Sequence, residues 1–128
     1  MEMLNKEITS TVLKVYYDVY NELGYGFLEK VYHNAMFYEL QQQGLYVESQ
    51  KPIKVYYKEK QVGEYYADLV INDSVIVELK ASEALVYENE VQLINYLRAT
   101  DVEVGLLLNF GKKPEYKRKI FTNNLKSR

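Results

Sequence analysis

The chain has 128 residues, 48% of them hydrophobic and 27% charged, with a net charge of −2. That is the composition of one soluble globular domain spanning residues 1–128 rather than of a disordered chain or a nonspecific nucleic-acid coat. It contains no cysteine, which excludes a disulfide framework and a thiolate zinc site.

In chain order, Leu4, Ile8, Val12, Val15 and Val19 recur at helical spacing and predict a helix over 4–22. This opening stretch carries acids and has no unbroken apolar run. It is not read as a signal peptide, and no segment approaches the roughly 20 apolar residues of a membrane span. A cytoplasmic location without membrane association is expected. The pair Gly24 and Gly26 breaks the helix. A second helix is predicted from about Leu28 to Gln43, with Val31, Ala35, Met36 and Leu40 on its apolar stripe and Gly44 as its stop.

The period then changes. Tyr46–Glu48 and Ile53–Tyr57 read as strand, separated around Pro52, and 58–61 as a polar turn. Val62–Ile71 and Val75–Lys80 are further strands joined at Asn72-Asp73-Ser74. Glu88–Ala99 reads as a helix, with Val91, Ile94, Leu97 and Arg98 around it. Gly105–Phe110 is a buried-type strand, and Tyr116–Phe121 a final edge strand. The order is ααβββαββ, an α/β arrangement with no internal repeat and no linker.

Alternation along Val75–Lys80 sends Val75, Val77 and Leu79 to one face and Ile76, Glu78 and Lys80 to the other. An acid and a lysine inside a central strand need a reason, since buried charge is costly unless paired or metal-bound. Asp68 on the preceding strand is the natural partner. A two-residue turn at Asn72-Asp73 would set it opposite Val77. A three-residue loop would set it opposite Glu78, and Asn and Asp tolerate the left-handed backbone such a loop needs. The second register is expected, because only it joins the carboxylates.

Two adjacent carboxylates repel, and one then holds its proton more tightly. A divalent cation relieves that conflict, and hard oxygen ligands favour Mg²⁺, with Mn²⁺ as a substitute, over zinc. The metal would polarise a phosphate and acidify its water. Lys80 would orient or help deprotonate that water or stabilise phosphate charge. The bland alternative is an acid–lysine pair on an open sheet face. Gln92 and Tyr96, four apart, share a helix face. Glu29 lies in the first turn of the second helix, where the dipole favours an anion; Tyr32 reads as core. His33, the only histidine, reads as a helix-surface or partly buried residue.

From Gly111 onward seven basic residues face one acid, leaving this segment at about +6 and the rest at about −8. Either a phosphate-contacting edge or a lysine-guarded edge strand follows from that asymmetry, with a fraying end. The 14 tyrosines, several in pairs, offer stacking surfaces or ordinary half-buried strand positions.

The stretches GFLEKVY (26–32), EYYADLVI (64–71), VIVELKA (75–81), QLINYLRAT (92–100) and GLLLNFG (105–111) together resemble the GxxExxY protein family, a branch of the PD-(D/E)XK nuclease superfamily. The resemblance implies a restriction-endonuclease-like core, a mixed central sheet flanked by helices. It implies a metal-dependent nuclease, with Asp68, Glu78 and Lys80 at the signature positions and Glu29 as an additional acid and metal ligand. Gln92 and Tyr96 match the Q-x-x-x-Y element of exonuclease-like branches, whose polar groups approach substrate or the active-site carboxylates. Two departures stand out. Ala67 replaces the signature proline, and Asn89 stands where relatives often carry histidine, which would weaken activity if that histidine assists. The implied partner is nucleic acid, DNA ahead of RNA; homodimerisation suits so small a nuclease, though no residue demands it. The competing expectation is an inactive nuclease-fold module that binds nucleic acid or a protein.

Overall fold

The computed structural model describes residues 5–127. Helix α1 (Lys6–Leu23) and helix α2 (Glu29–Gln42) are followed by strands β1 (Val47–Tyr57), β2 (Lys60–Ile71) and β3 (Val75–Lys80). Helix α3 (Tyr87–Arg98), strands β4 (Val104–Phe110) and β5 (Pro114–Ile120) and a 3₁₀ turn, Asn123–Leu125, complete the chain. The five strands form one mixed sheet in the order β1-β2-β3-β4-β5. Only β3 and β4 pair in parallel, since α3 carries the chain back between them; the other pairs are antiparallel.

Helices α1 and α2 cover one face through Val12, Val15, Tyr32 and Met36, packed on Val75, Val77, Leu79 and the matching residues of β4. Helix α3 covers the other through Leu93, Tyr96 and Leu97, packed on Ile76, Val70 and Leu107. Burial of each large aliphatic side chain contributes about 1.5–3 kcal/mol. The β3 alternation is as expected, and β4, apolar throughout, is buried on both faces.

Some helix stripes differ from the sequence pattern. Val31 and Val91 are exposed, whereas Tyr32, next to Val31, and Leu93, two residues after Val91, are fully buried. A tyrosine can bury its ring when its hydroxyl finds partners, so Tyr32 takes the place expected of Val31, while Met36, Leu40 and Leu97 are buried as expected. At the end of α2, Gly44 adopts φ +84°. Its N–H bonds to the Gln41 carbonyl and that of Leu45 to the Leu40 carbonyl. This paired arrangement is the Schellman ending that the glycine predicts.

The two runs expected around Pro52 are one continuous strand, β1. Proline lacks the N–H a ladder needs, but β1 lies at the sheet edge, where that donor is dispensable. The turn narrows to Lys58-Glu59, both at positive φ, so β2 begins two residues earlier than the sequence suggested, while β1 ends at Tyr57 as expected. Strand β5 is the opposite edge, beginning two residues earlier than expected. The basic end does not fray within the described residues. Lys126 Nζ donates to the Thr100 and Val102 carbonyls, and Lys119 pairs with Glu90 at 2.6 Å. Arg128 lies outside the described residues. Among those residues, no helix is long and apolar enough to cross a membrane.

Candidate active site

The β2–β3 register determines the site. Asn72 and Asp73 both take left-handed backbone, φ 51° and 53°, and the Ser74 N–H bonds to the Ile71 carbonyl at 2.9 Å. Ser74 adds a third residue before the ladder starts, so Ile71 pairs with Val75, Val70 with Ile76 and Leu69 with Val77. Continued one step, that register sets Asp68 across from Glu78, as expected.

Beyond Leu69 the two strands part, and their side chains replace the ladder. The Asp68 N–H donates to Glu78 Oε2 at 2.7 Å. The Leu79 N–H donates to Asp68 Oδ2 at 2.8 Å. Each carboxylate thus satisfies a main-chain donor on the other strand, which fixes both acids without a rotamer choice. Gln50, on β1 near this point, has φ +53°. Ala67 packs with the α3-side core while Leu69 packs with the α1–α2 side, so β2 changes face around Asp68.

Glu78 is only 5% exposed. Burial pushes its carboxyl up to about 8, and the adjacent Asp68 pushes the same way; the Asp68 N–H and Lys80 oppose this. Glu29 adds a further upward push from α2. Burial, then Asp68, also raises the carboxyl of Glu29, while Lys80 and His33 lower it. Glu29, Asp68, Glu78 and Lys80 therefore share one electrostatic neighbourhood. Lys80 forms no direct ion pair among the described residues, so its ammonium is available to an incoming anion.

The α1–α2 turn delivers Glu29. Gly24 and Gly26 take φ +69° and +108°. The Tyr32 hydroxyl donates to the Gly24 carbonyl at 2.7 Å and accepts the Phe27 N–H at 3.2 Å. Its ring stacks on Phe110 at 4.2 Å. The glycine, glutamate and tyrosine of 26–32 thus form one device: the turn, the acid it presents, and the buried anchor that holds it.

Across the sheet, Tyr96 is 6% exposed, and burial followed by the charges of Glu78 and Asp68 pushes its hydroxyl up to about 12. Gln92 is half-buried one helical turn earlier and lines the groove beside Tyr96. It makes no hydrogen bond to the carboxylates among the described residues. Asn89 accepts the Val86 N–H at 3.0 Å and so caps α3.

Two residues have parts that the sequence did not show. His33 is half-buried, with Nε2 3.2 Å from the Asp68 carbonyl and 3.1 Å from Ser49 Oγ. Its ring, with Glu29, Gln50 and Asp68, lines a cleft of about 350 Å³. Its i,i+4 spacing from Glu29 was the available signal. Asn109, fully buried on β4, exchanges bonds of 3.1 and 3.0 Å with the Ser82 main chain. It pins the loop that leaves Lys80.

Among the described residues, no group of three or more His, Cys, Asp or Glu side chains is arranged as a ready cation cage. Mg²⁺ does not need one, because it keeps several waters and takes one or two carboxylates together with substrate phosphates. The donor chemistry of Asp68 and Glu78, all oxygen and short of positive charge, fits such an ion.

Residues 6–119 match the PD-(D/E)XK nuclease superfamily, and the chain belongs to it. The mixed five-stranded sheet, its flanking helices and their order agree with that fold. No curated protein and no solved structure matches the chain. Nucleases of this superfamily generally act on nucleic acid with divalent metal ions.

Proposed function

We propose that the protein is a Mg²⁺-dependent nuclease of the GxxExxY branch that hydrolyses phosphodiester bonds. The observation that carries this reading is the crossed pair of Asp68 and Glu78, two carboxyl groups held side by side, one of them buried, near a Lys80 that forms no direct ion pair among the described residues. Holding like charges together destabilises a fold, and a scaffold without chemistry has no need of it.

Asp68 and Glu78 would hold the metal, and Glu29, from α2, would hold a second metal or a water. A bound Mg²⁺ would supply Lewis-acid polarisation of the phosphate and a more acidic water. Lys80 faces the phosphate and stabilises the charge that grows on its oxygens, or orients the attacking water. Tyr96, whose hydroxyl feels the charges of Glu78 and Asp68, and Gln92, one turn earlier, would position substrate. His33 holds the Asp68 carbonyl and thereby the strand segment that carries the carboxylate.

The test is incubation with labelled single- and double-stranded DNA and RNA in Mg²⁺, Mn²⁺ or EDTA, beside Glu78→Ala and Lys80→Ala. Cleavage that requires the metal and disappears in both variants supports the reading. Absence of cleavage across the panel with a folded protein would transfer it to a binding module.

A further inference from the structure

Strands β1 and β2 pair as far as Tyr57 and Lys60, well past the point where β2 leaves β3 at Leu69. Their outer halves form a two-stranded arm without a third strand. It carries Tyr56, Tyr57, Val62, Tyr65 and Tyr66, each at least half exposed. A bare hairpin is marginal in water, and so much exposed aromatic surface marks an interaction site.

Between this arm and α3 runs a groove of about 910 Å³. Tyr56 and Tyr65 line it from the arm, and Gln92 and Tyr96 from the helix. Lys54, Lys58 and Arg98 border it, against Glu59 and Glu88. The Tyr65 ring meets that of Tyr96 at 5.8 Å, and Tyr96 is the groove residue whose hydroxyl feels the charges of Glu78 and Asp68.

We infer that this groove seats a single-stranded segment of nucleic acid and feeds it to the carboxylates. The inference rests on the nuclease reading and deepens it by naming the substrate class. Three features select that occupant. Aromatic faces stack on any base, and bordering cations follow the backbone phosphates. The volume is that of a small-ligand site, about 300–1,000 Å³, which accommodates a few nucleotides and not a double helix. The groove is also lined at one side by Tyr96, whose hydroxyl senses the charges of Glu78 and Asp68, so a strand lying in it would run toward the acids. The three basic residues slightly outnumber the two acids, giving electrostatic guidance in a chain that is acidic overall.

The experiment measures fluorescence anisotropy of fluorescein-labelled oligo-dT, oligo-U and a duplex of equal length, with the full chain in EDTA. Wild type is compared with Tyr56→Ala, Tyr65→Leu and Lys54→Glu, and thermal unfolding verifies that each variant is folded. Single strands are expected to bind at least about ten-fold tighter than duplex. Each aromatic substitution weakens binding roughly five- to ten-fold or more, and Lys54→Glu also flattens the salt dependence. The oligo-dT and oligo-U arms distinguish DNA from RNA. Equal or tighter duplex binding, no binding, or unchanged affinity in the three variants would overturn the inference. Cleavage of the same oligonucleotides in Mg²⁺ separates the two readings. Cleavage indifferent to the groove variants removes the groove and leaves the nuclease, while groove-dependent binding without cleavage does the reverse.

Discussion

Asp68 and Glu78 are locked to each other's strands: the Asp68 N–H reaches Glu78 Oε2, and Asp68 Oδ2 receives the N–H of Leu79 beside Glu78. The ladder between β2 and β3 ends where this exchange begins. The same two bonds that compensate the lost ladder hold two acids together, so the geometry of the site is a by-product of how the strands diverge.

Burial of Glu78, reinforced by the nearby Asp68, makes stability depend on pH in an unusual direction. The folded Glu78 carboxyl sits at about 8 against an ordinary 4.5, so the folded state binds its proton more tightly than the unfolded state. Stability therefore falls as pH rises from about 4.5 to 8, and the full penalty, on the order of a few kcal/mol, is present above 8. Glu78→Gln keeps an acceptor for the Asp68 N–H and has no proton to lose. In EDTA, the melting temperature of wild type declines across that window while the variant's profile is flatter. Parallel profiles would contradict this assignment.

Lys80→Ala separates chemistry from folding. Lys80 is half-buried and lacks a direct ion pair among the described residues, so unfolding stability stays within about 0.5 kcal/mol. Metal-dependent cleavage falls by roughly 100-fold or more, as for loss of an electrostatic stabiliser. The check is urea unfolding alongside initial rates.

Tyr32→Phe releases the Phe27 N–H and the Gly24 carbonyl. The expected destabilisation is about 1–3 kcal/mol. Cleavage also falls at a temperature where the variant is fully folded, because the turn that presents Glu29 loosens. A stability loss with unchanged rates would show that the turn and the site are independent.

Asn109→Leu leaves the Ser82 N–H and carbonyl without the buried side chain that now pairs both. It lowers stability by about 1–3 kcal/mol and increases proteolytic cutting in the 81–86 loop. Limited proteolysis read by mass spectrometry locates the cuts.

Much of the architecture was legible because local chemistry agreed with the global fold. The glycines at 24, 26 and 44 marked real turns, and the Val75–Lys80 alternation assigned both faces of β3. The Asn72-Asp73-Ser74 loop even carried the register, since Asn and Asp accept the left-handed backbone that a shorter connection would not have spent on Ser74. What stayed hidden depends on partners distant in sequence. Pro52 looked like a break because an edge position cannot be read from one strand. His33 touches Asp68 only because α2 crosses β2, and Asn109 meets Ser82 only through the β3–β4 pairing. The Gln92 and Tyr96 pattern was visible, yet the arm that turns it into one wall of a groove arises from the unexpected length of β1 and β2. The basic end was read as a charge distribution, whereas Lys119 and Lys126 are held within the fold.

The claim that matters most is that the crossed acids form a divalent-cation site. Titration of Mn²⁺ followed by electron paramagnetic resonance, on wild type and Glu78→Gln at pH 8, tests it directly. The account predicts saturable binding by wild type, competed by Mg²⁺ and reduced at least about ten-fold in the folded variant. Equal binding by both proteins, or none by wild type, would contradict it.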